Sequence, residues 1–176
     1  EVPNATCLAA EDQPTPKCDA LLMGCGIAEN DDTYADMMRL KATDAYQVWD
    51  AGALNLLAGH PQQLGARAVI TPHAGEAARL LGWEIPAVLS DKLGAAEALR
   101  AKYGCNVVLK SAVTVMLTAD GQQCALNAVG SPALAKGGSG DALAGILASL
   151  LGQGLPMFDA MRAACLWLGL AGIAAG

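Results

Sequence analysis

The feature that most constrains the fold is a repeated alternation of short apolar runs and helical patterns. Three apolar runs, Asp19 to Met23, Tyr46 to Trp49 and Arg67 to Thr71, are each followed by a turn of small residues, glycine or proline and then by a helical segment. Alternation of strands with helices is typical of βαβ units and of a parallel sheet. The first half of the chain therefore predicts an α/β protein.

The second half adds antiparallel strands to this sheet. The runs Asn106 to Lys110, Val113 to Thr118 and Gln123 to Asn127 are rich in β-prone residues. Ala119 to Gln122 joins the last two, and its Asp-Gly pair is a strong hairpin signal. We expect a mostly parallel central sheet that carries an antiparallel hairpin.

Helical periodicity predicts helices that cover both faces of this sheet. The predicted helices are Asp31 to Ala42, Gly75 to Leu81, Asp91 to Tyr103 after a Ser90 cap, Gly137 to about Leu151, and Met157 to Ala174. The last is apolar nearly all round, which is typical of a buried helix. We expect one three-layer α/β/α domain over residues 1–176. Because the first residue is not Met and Gly176 interrupts a helical pattern, we expect this domain to be cut at both ends.

Composition excludes several classes of function. A net charge of −6 without a cluster of basic residues argues against nucleic-acid binding. The six cysteines form no CxxC pair and there are only two histidines, so we expect neither a zinc site nor a disulfide framework, and a reducing cytoplasm is the simplest location. The opening segment is too polar for a signal peptide. The apolar C-terminal run contains Arg162 and several glycines, so we expect no membrane segment.

The segment Lys136 to Asp141, KGGSGD, carries the strongest chemical signal. It directly precedes a helical run, and unpaired N–H groups at a helix start, together with the helix dipole, bind anions. A carboxylate beside a bound phosphate repels it unless it accepts a proton, so Asp141 is a candidate base. The alternative is that Ser139 or Asp141 merely caps the helix.

The longer segment GSPALAKGGSGDALAGILASLLGQG resembles the C-terminal signature of the NAD(P)H-hydrate dehydratases, a family of the ribokinase-like superfamily. The resemblance implies a ribokinase-like fold in which Asp141 is the catalytic base and also touches the substrate. It further implies that the amides of Gly138, Ser139 and Gly140 hold the nucleotide phosphate.

Two further segments resemble the substrate-binding parts of this family. Ile70 to Glu76 is similar to its threonine-proline-histidine-proline-glycine-glutamate stretch, which implies that His73 contacts the substrate, although a lone loop histidine is more often simply solvated. Val48 to Asn55 is similar to its DADALN turn, with Gly52 in place of the second aspartate. This second match implies that Asn55 contacts the substrate.

Two more matches complete the resemblance. Lys110 to Thr114 is similar to the family's LKGxxT segment, with Ser111 in place of glycine. The match implies a nucleotide site formed by Lys110, Ser111, Ala112, Val113 and Thr114. Met23 to Gly26 is similar to a glycine-proline-glycine loop that lies against the substrate, which implies contacts from Gly24 and Gly26. Cys25 replaces the proline, and we expect it to pack rather than to react.

The five matches follow the family's order, and they imply an ADP- or ATP-dependent lyase. Its substrate is NADHX or NADPHX, whose C6 hydroxyl is phosphorylated and then eliminated as phosphate, with Mg²⁺ assisting. The resemblance also implies a homo-oligomer. The matching segments do not include the N-terminal portion that is expected of a complete family member. Two alternatives stay open: a ribokinase-like kinase of a small alcohol such as a sugar, hydroxyethylthiazole or hydroxymethylpyrimidine, and an inactive nucleotide-binding module.

Overall fold

A six-stranded sheet forms the centre of the protein. The computed structural model describes residues 17–176, and the polar opening segment with Cys7 lies outside them. The strands are β1 (Ala20–Met23), β2 (Tyr46–Trp49), β3 (Ala68–Ile70), β4 (Asn106–Leu109), β5 (Thr114–Leu117) and β6 (Cys124–Asn127). They lie side by side in sequence order. All six correspond to runs that the sequence predicts as strands.

Parallel pairing joins the first four strands, and antiparallel pairing joins β4, β5 and β6. Met23 lies opposite Trp49, Trp49 opposite Ile70, and Ile70 opposite Val107. This register aligns the carboxyl ends of the parallel strands. The loops that follow those strands therefore meet along one edge of the sheet, where open α/β sheets bind their ligands.

Helices cover both faces of the sheet and confirm the three-layer α/β/α architecture. They are α1 (Asp31–Lys41), α2 (Gly52–Gly59), α3 (Ala74–Leu81), α4 (Ile85–Ser90), α5 (Lys92–Tyr103), α6 (Ser139–Gly152) and α7 (Met157–Ala174). Val48, Val69 and Val108 belong to the core under α6 and α7, whereas Trp49, Ile70 and Leu109 belong to the core under α1 to α5. Neighbouring side chains of a strand point to opposite faces. Nearly all side chains of β2 to β5 are buried, so these inner strands read as near-continuous apolar runs.

The start of α5 differs from its prediction. Asp91, not Ser90, caps the helix, and its carboxylate accepts a hydrogen bond of 2.8 Å from the Gly94 amide. Ser90 instead ends α4, a helix that the sequence pattern did not predict. A helix of six residues is too short to establish a 3.6-residue period, which explains why it was not recognised.

The prediction of a buried last helix is only partly correct. One side of α7 packs against α6 through Ala160, Met161 and Ala164. The other side leaves large apolar side chains exposed, namely Leu166, Trp167, Leu170 and Ile173. Within residues 17–176, α7 is the single helix long and apolar enough to cross a membrane, a test that the core helix of a globular domain also passes.

Candidate functional site

The carboxyl ends of the parallel strands bring the predicted site segments together. The Gly24 loop follows β1, Asp50 follows β2, and His73 lies shortly after β3. Lys110 follows β4, and its amide donates to the Pro72 carbonyl oxygen at 2.8 Å, so that His73 and Lys110 form a parallel bridge. Four segments that are distant in sequence thus form one continuous edge.

Asp50 is the best-buried charged residue of this edge, with 1% of its surface exposed. Its Oδ1 accepts a hydrogen bond of 2.8 Å from the Thr71 hydroxyl and another of 2.8 Å from Lys110 Nζ. A buried carboxylate needs such partners because desolvation of an unpaired charge is costly. The motifs do not single out Asp50 as a site residue, although its position directly after a buried strand was a usable signal.

Lys110 lies between two carboxylates and the first turn of α6. Its Nζ is 2.8 Å from Asp50 Oδ1 and 3.9 Å from Glu76 Oε2. A Cβ atom added to Gly140 would lie 3.1 Å from the same Nζ, so the glycine permits the close approach of α6 to the ammonium group. Lys110 therefore holds a positive charge beside the helix start at which the sequence predicts a phosphate.

The start of α6 has no side-chain cap. The capping residue is Gly138, with φ 89°, and the Ser139 hydroxyl donates instead to the Lys136 carbonyl oxygen at 3.0 Å. The alternative interpretation, in which Ser139 or Asp141 only caps the helix, is therefore wrong. The first N–H groups of a helix lack partners within it. Although the Ser139 amide makes a long contact of 3.5 Å with the Lys136 carbonyl oxygen, this helix start can therefore bind an anion.

Asp141 lies in the first turn of α6, is exposed, and faces two other polar groups. Cys25 Sγ, a carboxylate oxygen of Asp50 and a carboxylate oxygen of Asp141 all lie within 4.8 Å of one another. Burial raises the pKa of Cys25 to about 12, and a hydrogen bond with Asp141 and the charges of both carboxylates add to this. Cys25 is therefore a neutral thiol at neutral pH.

The glycine loop after β1 is fixed against the strand end that carries Asp50. Gly24 has φ 122°, and a Cβ atom there would lie 1.7 Å from the Asp50 carbonyl oxygen. The Gly24 carbonyl accepts a hydrogen bond of 3.2 Å from the Gly52 amide. Ala51, which lies between Asp50 and Gly52, adopts φ 47°, the single positive φ of a non-glycine residue within 17–176. Such strain is found mainly at functional sites, which agrees with the location of this turn.

His73 caps α3 with its ring. Its Nδ1 accepts hydrogen bonds from the Gly75 amide at 3.0 Å and from the Glu76 amide at 3.4 Å, while Glu76 Oε2 accepts one of 2.8 Å from the His73 amide. Because Nδ1 is the acceptor, the neutral ring carries its proton on Nε2. The side chain is 60% exposed, and its Nε2 lies 3.7 Å from Glu76 Oε1, so the N–H group is accessible at the site edge.

The remaining predicted site residues are less central. Asn55 belongs to a separate polar network, in which its amide donates to Glu29 at 2.5 Å and accepts from Arg79.

Residues 111–113 form the turn between β4 and β5, and Thr114 begins β5. Within this turn the Thr114 hydroxyl donates to the Ser111 carbonyl oxygen at 3.2 Å. Gly26 lies on the exposed side of its loop, with φ 71° and open space where a Cβ would be.

A wide surface depression lies at the opposite edge of the sheet, near the start of β1 and β2. Its lining includes Asp19, Thr43, Tyr46, Arg67 and Gly152. Arg67 donates to the Asp44 carbonyl oxygen and lies over the Tyr46 ring, so its guanidinium group is already engaged. The convergence of carboxylates, lysine and a helix start identifies the carboxyl edge, not this depression, as the candidate active site.

Solved structures with the same architecture define the class of protein. A hydroxyethylthiazole kinase of Pyrococcus horikoshii superimposes with a TM-score of 0.72 at 17% identity, covering 89% of this chain and 63% of that one. An ADP/ATP-dependent NAD(P)H-hydrate dehydratase of Bacillus subtilis, co-crystallised with ATP and Mg²⁺, gives a TM-score of 0.78 at 27% identity, covering 92% of this chain and 58% of that one. The fold is thus the ribokinase-like α/β fold.

Within this class, the chain belongs to the NAD(P)H-hydrate dehydratase family, whose carbohydrate-kinase-type model matches residues 3–176. A bifunctional NAD(P)H-hydrate repair enzyme of Vibrio cholerae is 43% identical over 145 residues, 82% of this chain and 29% of that protein. An ADP-dependent (S)-NAD(P)H-hydrate dehydratase of Neisseria meningitidis is 37% identical over 157 residues, 85% of this chain and 52% of that protein. The chain therefore spans about half or less of these relatives.

Proposed function

We propose that the protein to which this chain belongs dehydrates NADHX and NADPHX to NADH and NADPH, with ADP or ATP as the phosphoryl donor. Family membership supports the reaction, and one observation supports the site: Asp141, Lys110 and the uncapped start of α6 converge at the carboxyl edge of the sheet. Residues 1–176 then form part of one ribokinase-like domain. The homo-oligomeric state and the cytoplasmic location stay predictions.

Asp141 acts as the general base in this proposal. Its carboxylate accepts the proton of the C6 hydroxyl while that oxygen attacks the terminal phosphoryl group of the nucleotide. The C6–O bond then breaks, phosphate leaves, and loss of a proton from the adjacent ring carbon restores the double bond. Nucleotide and hydrate thus yield the reduced dinucleotide, phosphate and a nucleotide with one phosphate fewer.

Two parts of this chain stabilise the negative charge that develops on the transferred phosphoryl group. The amides of Gly138, Ser139 and Gly140 supply hydrogen bonds and the positive end of the α6 dipole. Lys110 adds a cation beside Gly140. Ser111, Ala112, Val113 and Thr114 line the adjoining part of the nucleotide site in this proposal.

The substrate occupies the neighbouring loops. Gly24 and Gly26 let backbone approach the hydrated ring closely, and the exposed Nε2–H of His73 donates to a polar group of the substrate. Asn55, with its amide tied to Glu29 and Arg79, borders the substrate at the start of α2.

A magnesium ion fits the chemistry of this edge, because carboxylate oxygens are the ligands that Mg²⁺ prefers. Asp50 is the side chain of this chain that would hold it together with the nucleotide phosphates, because its Oδ1 pairs with Lys110 at 2.8 Å while its Oδ2 faces the start of α6 beside Gly140. When bound, the ion neutralises phosphate charge during transfer.

Recovery of NADH from NADHX, followed by absorbance of the reduced ring, tests the proposal. The full-length protein should restore NADH only when ADP or ATP and Mg²⁺ are present, with one phosphate released per NADH. Phosphorylation of hydroxyethylthiazole or a sugar in place of this activity would assign the protein to the small-alcohol kinases. Absence of nucleotide-dependent recovery from folded protein would contradict the dehydratase assignment.

A further inference from the structure

Thr71 is a fully buried residue of the site edge, and the reaction as described above gives it no role. It directly follows β3, as Asp50 follows β2, and it exposes none of its surface. Its amide donates to the Trp49 carbonyl oxygen at 3.1 Å, which continues the parallel pairing of Trp49 with Ile70 by one residue. Side chains at the same register position of neighbouring strands lie side by side on one face of the sheet. The sheet therefore places the Thr71 side chain beside that of Asp50.

The Thr71 hydroxyl has one well-placed acceptor, the Asp50 carboxylate. Its Oγ1 lies 2.8 Å from Asp50 Oδ1, whereas the Trp49 carbonyl oxygen is 3.3 Å away and already accepts the Thr71 amide. Pro72 follows Thr71 and favours extended backbone there, and β-branching restricts the rotamers of the threonine side chain. The hydroxyl is consequently a rigid donor, and its position is set by the sheet and not by α6.

Two donors from different strands converge on the same oxygen of Asp50. Oδ1 accepts from the Thr71 hydroxyl at 2.8 Å and from Lys110 Nζ at 2.8 Å. Because donors prefer to lie near the plane of a carboxylate, along its lone pairs, two of them on one oxygen fix that plane. Oδ2 then faces the start of α6, where a Cβ atom added to Gly140 would lie 3.6 Å from it. Lys110 alone would leave the carboxylate free to tilt about a single contact.

We propose that Thr71 is a positioning residue, whose hydroxyl fixes the Asp50 carboxylate so that Oδ2 is available to a magnesium ion bound with the nucleotide. The proposal rests on the proposed nucleotide site at the start of α6, and it assigns a role there to a residue that is itself buried away from the ligand. Removing a residue that orients a metal-ligating side chain typically lowers metal affinity about 10–100-fold. Loss of the Thr71 hydroxyl should therefore weaken the effect of Mg²⁺ on nucleotide binding.

ATP binding by the full-length protein, measured with Mg²⁺ and with EDTA, tests this role without any turnover. Calorimetric titration gives the factor by which Mg²⁺ strengthens ATP binding. In Thr71→Val, which keeps the shape of the side chain and removes the donor, this factor should fall about tenfold while the affinity in EDTA stays at the wild-type value. Thr71→Ser keeps a hydroxyl and should recover most of the loss. Thr71→Cys has a weaker donor and should lie between the two, so the order of the variants tests the proposal even if one of them folds poorly.

Thr118→Val is the matched control, because it also removes a hydrogen bond from a threonine to an aspartate. The Thr118 hydroxyl donates to Asp120 Oδ1 at 2.6 Å in the loop between β5 and β6. This loop lies at the opposite edge of the sheet, where the Ala119 amide contacts Asn106 at the start of β4. The control should therefore bind ATP like the wild type, both with Mg²⁺ and with EDTA.

Three results would overturn the proposal. They are a wild-type effect of Mg²⁺ in folded Thr71→Val, an equal loss of affinity with Mg²⁺ and with EDTA in that variant, and a wild-type protein in which Mg²⁺ does not strengthen ATP binding. A wild type that binds ATP with Mg²⁺ but does not dehydrate NADHX would contradict the proposed function alone, while the titrations would still report the role of Thr71.

Discussion

Lys110 Nζ lies 2.8 Å from Asp50 Oδ1 and thereby joins the end of β4 to the end of β2 across β3. The Asp50 carboxylate is almost fully buried, while 17% of the surface of the Lys110 side chain is exposed to solvent. The carboxylate is thus held in the protein, and the ammonium group is accessible to a ligand. This arrangement directs the ammonium group toward α6 instead of letting it move freely in water.

Asp50→Asn should destabilise the fold by about 1.5–3 kcal/mol, because Lys110 loses its partner at 2.8 Å and keeps only the longer contact of 3.9 Å with Glu76. Urea denaturation of the variant and the wild type measures the difference. Asp159→Asn is the matched control, since Asp159 pairs with Arg162 at 3.6 Å on the surface and exposed pairs contribute less than about 1 kcal/mol. Equal effects of the two changes would contradict the described role of Asp50.

Gly24→Ala should disrupt the site, because its new Cβ would overlap the Asp50 carbonyl oxygen and the loop would have to move. Gly26→Ala is the matched control: it also has a positive φ, of 71°, but nothing lies near its Cβ. The control should cost only about 1–2 kcal/mol of stability for the left-handed backbone. Thermal unfolding of both variants gives the comparison. Turnover is followed for Gly24→Ala, and a Gly24→Ala protein with normal kcat would contradict the close packing of this loop.

His73 should show two separable functions. His73→Ala removes both the cap of α3 and the Nε2–H donor, and should cost about 1 kcal/mol of stability and raise the KM for NADHX. His73→Asn keeps a preferred capping residue, but its shorter side chain places no N–H donor at the position of Nε2, so it should raise the KM for NADHX while stability stays near that of the wild type. The two variants are compared by urea denaturation and by substrate titration. A normal KM in both would exclude His73 from the substrate site.

Alkaline pH should destabilise the protein through Tyr103. This fully buried phenol donates to the Leu80 carbonyl oxygen at 3.0 Å, and burial raises its pKa to about 12. The unfolded chain releases the phenolic proton near pH 10, so the associated stability is complete below pH 10 and is lost as the pH rises toward 12. At pH 11 the loss is about 1.4 kcal/mol from this group.

Tyr103→Phe isolates that contribution. Burial also raises the pKa of Cys165 to about 12, so part of the alkaline loss persists in the variant. Between pH 9 and pH 11 the wild type should therefore lose about 1 kcal/mol more stability than the variant, so that the difference between the two free energies of unfolding narrows by that amount. A difference independent of pH would show that the phenol does not hold its proton in the folded state.

Strong periodic signals explain why the architecture was predictable from the sequence. The strand at Tyr46–Trp49 and the hairpin between β5 and β6 combine apolar runs with clear turn residues, so local preference and tertiary structure agree. The exposed side of α7 could not be predicted, because the sequence of a helix that is apolar nearly all round does not show which of its apolar side chains are buried. Helix α4 was missed because six residues define no period.

The candidate site was predictable where one segment carries the chemistry, and not where the contact is made between segments. The start of α6 could be read from KGGSGD as an anion site with an adjacent base. The pairing of Asp50 with Lys110, and the approach of Cys25 Sγ and an Asp141 carboxylate oxygen to within 4.8 Å, join residues that are distant in the chain. No local pattern encodes such contacts, and only the sheet register brings them together.

Asp141→Asn is the most direct test of the central claim, that Asp141 is the base beside the phosphate site at the start of α6. Nucleotide binding should remain close to the wild-type value, since Lys110 and the α6 amides are retained, while kcat for NADHX dehydration should fall about 10²–10⁴-fold. Calorimetric titration with ATP and steady-state recovery of NADH measure the two quantities on the same preparation. A variant that binds ATP and turns over NADHX at the wild-type rate would contradict the claim.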